Sequence, residues 1–223
     1  QIGKPLMPNE RPNILFVFPD QFRRQAVGFL GEDPVLTPNL DRFAEESCVL
    51  THAVSTRPVC SPYRAMLLTG KYPHANGVVG NCNSNTVQHG NYLSAEEVCL
   101  SDVLHAAGYH QGYIGKWHLG QDNGMAAEDQ GFDESLLMAS GLYLPEDDPN
   151  VVNSKQDFDM IDKFLWAAMR YAASFNGGPA FEPAKYLTDY YTDEAVKVIE
   201  ANKDRPFFLY LAHWAPHTPL QAS

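Results

Sequence analysis

Two kinds of apolar pattern alternate along the chain. Ile14-Leu15-Phe16-Val17-Phe18 is an unbroken apolar run ending in Pro19-Asp20-Gln21, which predicts a strand covered on both faces, as in a parallel sheet. Thr37 before Pro38 marks a helix start, and Leu40, Phe43, Ala44 and Cys48 have the spacing of one helical face. Ser94 with Glu97 reads as a capping box, Val98, Val103, Leu104 and Ala107 supply an apolar face, and Gly108 a stop. A strand over Tyr109 to Ile114 runs directly into Gly115-Lys116-Trp117-His118. The pattern recurs where Thr188 opens a helix through Val196 and Ile199. Phe207-Phe208-Leu209-Tyr210-Leu211 then forms a buried strand that delivers His213 and His217.

Strands separated by helices predict an α/β fold, with a largely parallel central sheet flanked by helices on both faces. In such sheets ligands bind beyond the carboxyl ends of the strands, and three strand ends here carry polar residues suited to chemistry. From about residue 121 to 186 the pattern changes. Acidic and aromatic residues mix, and one helix is expected to carry Ile161, Phe164, Leu165 and Met169 on its apolar side. This stretch reads as an insertion beside the site.

Composition narrows the class. The 223 residues are 44% hydrophobic and 19% charged, the balance of a folded chain able to bury a sizeable core. Sixteen Lys plus Arg against 27 Asp plus Glu leave a formal charge of −11, which disfavours nucleic acid as a partner because phosphate binding rests on Lys and Arg. No apolar run approaches the roughly 20 residues that cross a bilayer. The chain opens on Gln1 without the basic-then-apolar pattern of a secretory leader, so either a leader was removed or the chain was trimmed. Cys48, Cys60, Cys82 and Cys99 have no zinc-ligand spacing and are too few for a disulfide scaffold, although one disulfide is possible.

The sharpest chemical feature is Cys60-Ser61-Pro62-Tyr63-Arg64, followed by Ala65 to Gly70. Ser61 suits an N-cap, Pro62 the first helical position and Gly70 the helix end. Cys60 then sits where backbone N–H groups, the helix dipole and Arg64 one turn on favour an anion. A thiol there should be acidified, or an anionic substrate attracted. Taken alone, the motif leaves a buried structural cysteine and a reactive one equally open.

These residues resemble the sulfatase family of the alkaline phosphatase superfamily, whose maturation signal is Cys-x-Pro-x-Arg. Further segments resemble the family in the same order: Pro12 to Phe16 leading to Asp20, Thr37-Pro38-Asn39-Leu40-Asp41, and Gly70-Lys71-Tyr72-Pro73-His74. Gly115 to Gly120, Gly131-Phe132-Asp133 and Ala215-Pro216-His217-Thr218-Pro219 complete the series. The resemblance implies that Cys60 is oxidised by a maturation enzyme to formylglycine, whose hydrate is the nucleophile. It also implies a divalent metal, calcium being the expected ion, held by Asp20, Gln21 and the matured Cys60. Gln21 stands where many relatives have a second acid, and lowers the ligand charge by one.

By the same resemblance Lys116 binds sulfate oxygens, His118 meets the nucleophile's hydroxyls, Arg64 steadies formylglycine and metal, and His217 protonates the leaving alcohol. On the residues alone, His118 beside Trp117 could be a packed structural histidine and Asp20 a loop cap. The expected reaction is hydrolysis of a sulfate ester, with a sulfated carbohydrate preferred, in an exported, periplasmic or extracellular protein. Two other readings stand: a phosphonate or phosphodiester hydrolase of the same superfamily, which suits Asp20-Gln21, and a non-catalytic binding module. Sulfatases of this kind are about twice as long, so residues 1–223 are expected to be the N-terminal part of the catalytic domain. The fragment is then expected to have an incomplete metal site, an exposed sheet surface and no activity alone.

Overall fold

The computed structural model describes residues 11–122 and 124–223. Gln1, and with it the reading of a removed leader, lies outside them. The strands are β1 (Ile14–Val17), β2 (His110–Gly115), β3 (Glu134–Met138), β4 (Val152–Ser154), β5 (Ala173–Phe175), β6 (Phe207–Ala212) and β7 (Leu220–Ala222). The helices are α1 (Pro38–Glu45), α2 (Cys60–Thr69), α3 (Pro73–Asn76), α4 (Ser84–Val87), α5 (Leu100–Ala106), α6 (Met160–Ala168) and α7 (Leu187–Asn202). The main sheet has the order β1-β6-β2-β3-β5, with only β5 antiparallel. A separate antiparallel pair joins β4 to β7.

Side-chain alternation along β6 divides the core in two. Phe208, Tyr210 and Ala212 face a cluster with Tyr113, Trp117 and Phe132, and with Ala65 and Leu68 of α2. Phe207, Leu209 and Leu211 face a second cluster with Ile114 and with Leu187, Tyr191 and Ala195 of α7. All six β6 residues are buried, as the apolar run predicts for a strand covered on both sides. Each such large side chain contributes about 1.5–3 kcal/mol by leaving water.

Elsewhere the structure departs from expectation for identifiable reasons. β1 is an edge strand: Ile14 and Phe16 pack on the first cluster, while Leu15 and Val17 remain 48% and 52% exposed. Its apolar run is therefore covered on one face only. The capping box before α5 is formed by Cys99 and Asp102, with Cys99 N–H donating to Asp102 Oδ2 at 2.7 Å. Ser94 instead closes a turn in which its carbonyl accepts from Glu97 N–H. α1 ends at Glu45, so Cys48 lies beyond it, and Leu40 and Phe43 stay exposed.

The stretch from 121 to 186 contributes β3 and β5 to the main sheet as well as β4 and α6. α6 turns Asp162 and Trp166 inward and leaves Ile161 and Phe164 outward, 67% and 65% exposed. Its apolar stripe is thus not its buried face. Asp162 explains the inversion, because its carboxylate accepts from Gln156 N–H at 2.8 Å and from the Thr218 hydroxyl.

The three adjacent parallel strands continue bonding past their ends. Phe18 N–H donates to Leu211 O at 2.8 Å, Asp20 N–H to His213 O at 3.1 Å, and Lys116 N–H to Ala212 O at 2.9 Å. Gly115 allows the last of these: its φ is +110°, and a Cβ there would lie 1.9 Å from Ala212 O. Only glycine combines that dihedral with so close a backbone approach. Gly115→Ala is expected to destabilise the fold by about 3 kcal/mol or more, read as a lowered urea midpoint. An unchanged midpoint would show that the β2–β6 junction is free to open.

Candidate functional site

At the carboxyl ends of β1, β6 and β2 a cavity of about 660 Å3 is lined by Asp20, Gln21, Cys60, Arg64 and His217, with Phe18 and Ile161 in its walls. Cys60 is the first residue of α2, with Val59 in the N-cap position and Gly70 closing the helix at φ +65°. Ser61 therefore does not cap. It is buried, its hydroxyl donating to His118 O at 2.6 Å and accepting from Cys82 N–H at 3.0 Å. A side chain used in this way anchors the start of α2 to the loop after β2. Cys60 remains partly exposed, and all four cysteines are free thiols.

Behind the cavity wall lies a buried ion triplet. Asp20 Oδ2 accepts from Lys116 Nζ at 2.5 Å and from Arg64 Nη2 at 3.2 Å. Arg64 Nη1 also donates to Lys116 O at 2.6 Å, a carbonyl that accepts the Tyr113 hydroxyl at the same distance. Burial alone would raise the Asp20 pKa, but Lys116 and then Arg64 outweigh it and hold the carboxyl below its ordinary value. Burial lowers the Lys116 pKa, with Arg64 adding to the shift and Asp20 opposing it. With both cations charged, the triplet is net positive inside a chain of formal charge −11.

Two histidines frame this arrangement differently. His217 reaches the cavity: one ring nitrogen, one Asp20 oxygen and Cys60 Sγ lie within 4.8 Å of one another. Its Nδ1 contacts Thr218 O, and its carbonyl accepts from Tyr143 OH at 2.8 Å. Burial, then Lys116, lowers its pKa. His118, at φ +59°, lines a second cavity of about 530 Å3 with Cys82, Gln121 and Asp122. Its Nδ1 is buried without a partner among the described residues, and burial, then Lys116 and Arg64, pushes its pKa down to about 4.

Gln21 lines the first cavity at φ +60°, and its amide oxygen accepts from Thr218 N–H at 3.4 Å. The structure thus gathers Asp20, Gln21, Cys60, Arg64 and His217 at one cavity and sets Lys116 directly behind Asp20. His213 is half-buried, its carbonyl taken by Asp20 N–H, and His74 stacks on Tyr72. Trp166 and Tyr171, aromatic residues of the stretch before α7, are buried rather than at the mouth.

Sequence reasoning missed Trp214. Its ring lies 4.2 Å from Lys116 Nζ and stacks on the His217 ring at a centroid distance of 3.8 Å. The available signal was position, between His213 and Pro216-His217 at the end of a buried strand.

As a metal site the donor set fits a hard cation in part. A strand-end carboxylate and a neighbouring amide oxygen face one cavity beside position 60, and calcium selects oxygen donors of this kind. The His217 nitrogen in the same cluster adds a softer donor.

The Sulfatase family model matches residues 12–223. The chain is 32% identical to an endo-4-O-sulfatase of Bacteroides thetaiotaomicron, over 96% of its own length and 44% of that protein. It is 34% identical to the N-acetylgalactosamine-6-sulfatase of Canis lupus familiaris, over 95% and 41% respectively. Among solved structures it is similar to Ps i-CgsB in complex with k-i-k-neocarrahexaose, with a TM-score of 0.76, 31% identity, and coverage of 96% of this chain and 47% of that one. The chain thus spans less than half the length of these relatives.

The ion triplet yields a stability prediction. Asp20→Asn leaves Arg64 and Lys116 buried without their shared anion, and should cost about 3–5 kcal/mol in urea unfolding. In the unsubstituted protein the Asp20 contribution is complete above its ordinary pKa of 3.8 and fades as pH falls through the depressed value. The stability difference between the two proteins should therefore shrink on acidification below pH 3.8. A difference independent of pH would rule out this origin.

Proposed function

Because the chain belongs to the sulfatase family, we propose that it carries the nucleophile-bearing part of an enzyme that hydrolyses sulfate esters of carbohydrates. One observation supports this above the others. The ends of three adjacent parallel strands and the start of α2 bring Asp20, Lys116, His217 and Cys60 to one place. The net positive triplet supports an anionic substrate, since a charge that the overall composition lacks has been assembled where a sulfate would lie. The carbohydrate preference draws on relatives such as the N-acetylgalactosamine-6-sulfatase, which is named for a sulfated sugar.

Matured to formylglycine, position 60 would supply a hydrated aldehyde, with one hydroxyl to attack sulfur and a second to release sulfate afterwards. Its place at the first residue of α2 puts backbone N–H groups and the helix dipole beside the developing negative charge. Asp20, Gln21 and position 60 would hold a divalent cation, calcium by its preference for oxygen donors, which when bound would add positive charge at the sulfate oxygens. These donors fill part of the six to eight positions that calcium takes, and the rest of the shell is assigned to residues outside this chain.

Arg64 is assigned to hold Asp20 and the Lys116 carbonyl, and so to set the distance from α2 to the strand ends. Lys116 is assigned to sulfate oxygens, which requires its ammonium to share Asp20 with the incoming ester. His217 is assigned as the proton donor to the leaving alcohol through Nε2, because Nδ1 faces Thr218 O. Burial and Lys116 favour the neutral ring in the free site, and an ester anion would shift it towards the acid form. His118 is assigned to the nucleophile's hydroxyls by resemblance to the family; its backbone is tied to Ser61, next to position 60, while its ring lines the second cavity. Export to the periplasm or beyond, and conversion of Cys60 by a maturation enzyme, accompany this reading.

Peptide mass spectrometry on the Cys60 segment of full-length protein from its native host should find the aldehyde. Recovery of unmodified thiol alone would count against the mechanism. Lys116→Ala in that protein should lower kcat/KM for an aryl sulfate by about 100-fold or more. A larger rate on an aryl phosphodiester than on the sulfate would move the assignment to phosphodiester hydrolysis, which Gln21 beside Asp20 suits.

A further inference from the structure

Trp214 lies just beyond β6 and is 5% exposed. Its indole is fixed from outside the site: Nε1–H donates to Gly141 O at 3.0 Å, and a Cβ at position 141 would come within 3.2 Å of the indole Cζ2. The same ring touches both groups assigned above to the sulfate and the leaving alcohol. Lys116 Nζ stands 4.2 Å from its centroid, and the His217 ring stacks on it at 3.8 Å with an interplanar angle of 25°. The stacking is imposed by the backbone, since His217 N–H donates to Trp214 O at 3.0 Å and folds the imidazole back onto the indole.

Space filling alone does not account for this choice of residue. A lysine ammonium has three N–H donors, and Asp20 Oδ2, already shared with Arg64, takes one of them. The π face of tryptophan is the strongest aromatic partner for a cation, whereas an aliphatic side chain of similar bulk would leave Lys116 free to swing about its one ion pair. The imidazole likewise has Trp214 as its ring neighbour and Thr218 O as its polar contact.

We propose that Trp214 is a positioning residue for this site, an indole pinned by Gly141 that holds the Lys116 ammonium and the His217 imidazole in fixed relation to each other. The assignment rests on the roles proposed above for those two residues.

The test uses full-length, matured protein carrying Trp214→Phe or Trp214→Leu, beside Lys116→Ala and His217→Ala. Turnover is measured on a nitrophenyl sulfate, whose leaving group needs little protonation, and on a sugar sulfate, whose alcohol needs it. Trp214→Leu should lower kcat by about 10–100-fold, with the larger loss on the sugar sulfate. Trp214→Phe keeps an aromatic face, loses the bond to Gly141, and should stay within about threefold of the unsubstituted rate. A merely structural role would scale both substrates equally through the folded fraction.

NMR supplies a second reading: the His217 ring protons should be shifted upfield by the indole, retain the shift in Trp214→Phe and lose it in Trp214→Leu. Folded Trp214→Leu with unchanged kcat on both substrates, while Lys116→Ala collapses on both and His217→Ala on the sugar sulfate, overturns the role of Trp214 alone. If those two variants also keep their rates, the functional reading of the site fails first. Should Trp214→Leu not fold, Trp214→Phe decides: loss of the His217 shift with unchanged rates overturns the proposal, and retention of both supports it.

Discussion

One carboxylate oxygen, Asp20 Oδ2, organises this end of the molecule. It accepts a lysine from the end of β2 and an arginine from α2, and is itself carried just past β1. Each of these charges would be costly to bury alone, and they are tolerated only as a set with their bonds made. The triplet therefore fixes three elements against one another. Because Arg64 also grips the Lys116 carbonyl, the first turn of α2 cannot shift without breaking several buried bonds. Cys60, four residues before Arg64, is positioned by that restraint together with the link from Ser61 to the backbone after β2.

Much of this was legible in the sequence where a local pattern and its tertiary setting agree. Phe207 to Leu211 is unbroken and apolar, and it lies between two neighbours with helices above and below. Ile14 to Phe18 has the same pattern but stands at the edge of the sheet, and edge position is not a property of the run itself. The strand ends that carry Asp20, Lys116 and His217 were located by the general logic of parallel sheets, which needs no side-chain detail, and the resemblance to sulfatases singled out these residues there. Capping was read less well. Ser61 and Ser94 have the right chemistry for an N-cap, yet long-range contacts took the first and a turn took the second. α6 was misread because Asp162, polar by type, is buried through its bonds to Gln156 and Thr218, and periodicity cannot anticipate a satisfied carboxylate.

The acidic composition and the positive interior describe different scales. Surface acids set the net charge of −11, while the local field near Cys60 is set by a few groups removed from solvent, where screening is weak. Trp214 shows the same limit from another side. An aromatic residue at the end of a buried strand looks like core, and its contact with a cation becomes visible only when β2 and β6 are laid side by side.

The two walls of the cavity are mounted on unlike parts of the molecule. Asp20, Lys116 and His217 follow strands whose ends are locked by backbone bonds as close as Gly115 against Ala212. Ile161 lines the cavity from α6, a helix outside the main sheet whose outward residues meet mostly solvent. A substitution at Ile161 can therefore alter the lining of the cavity while Asp20, Lys116 and His217 stay held at the strand ends. The fold thus mounts a rigidly held cluster and part of its rim on separate elements.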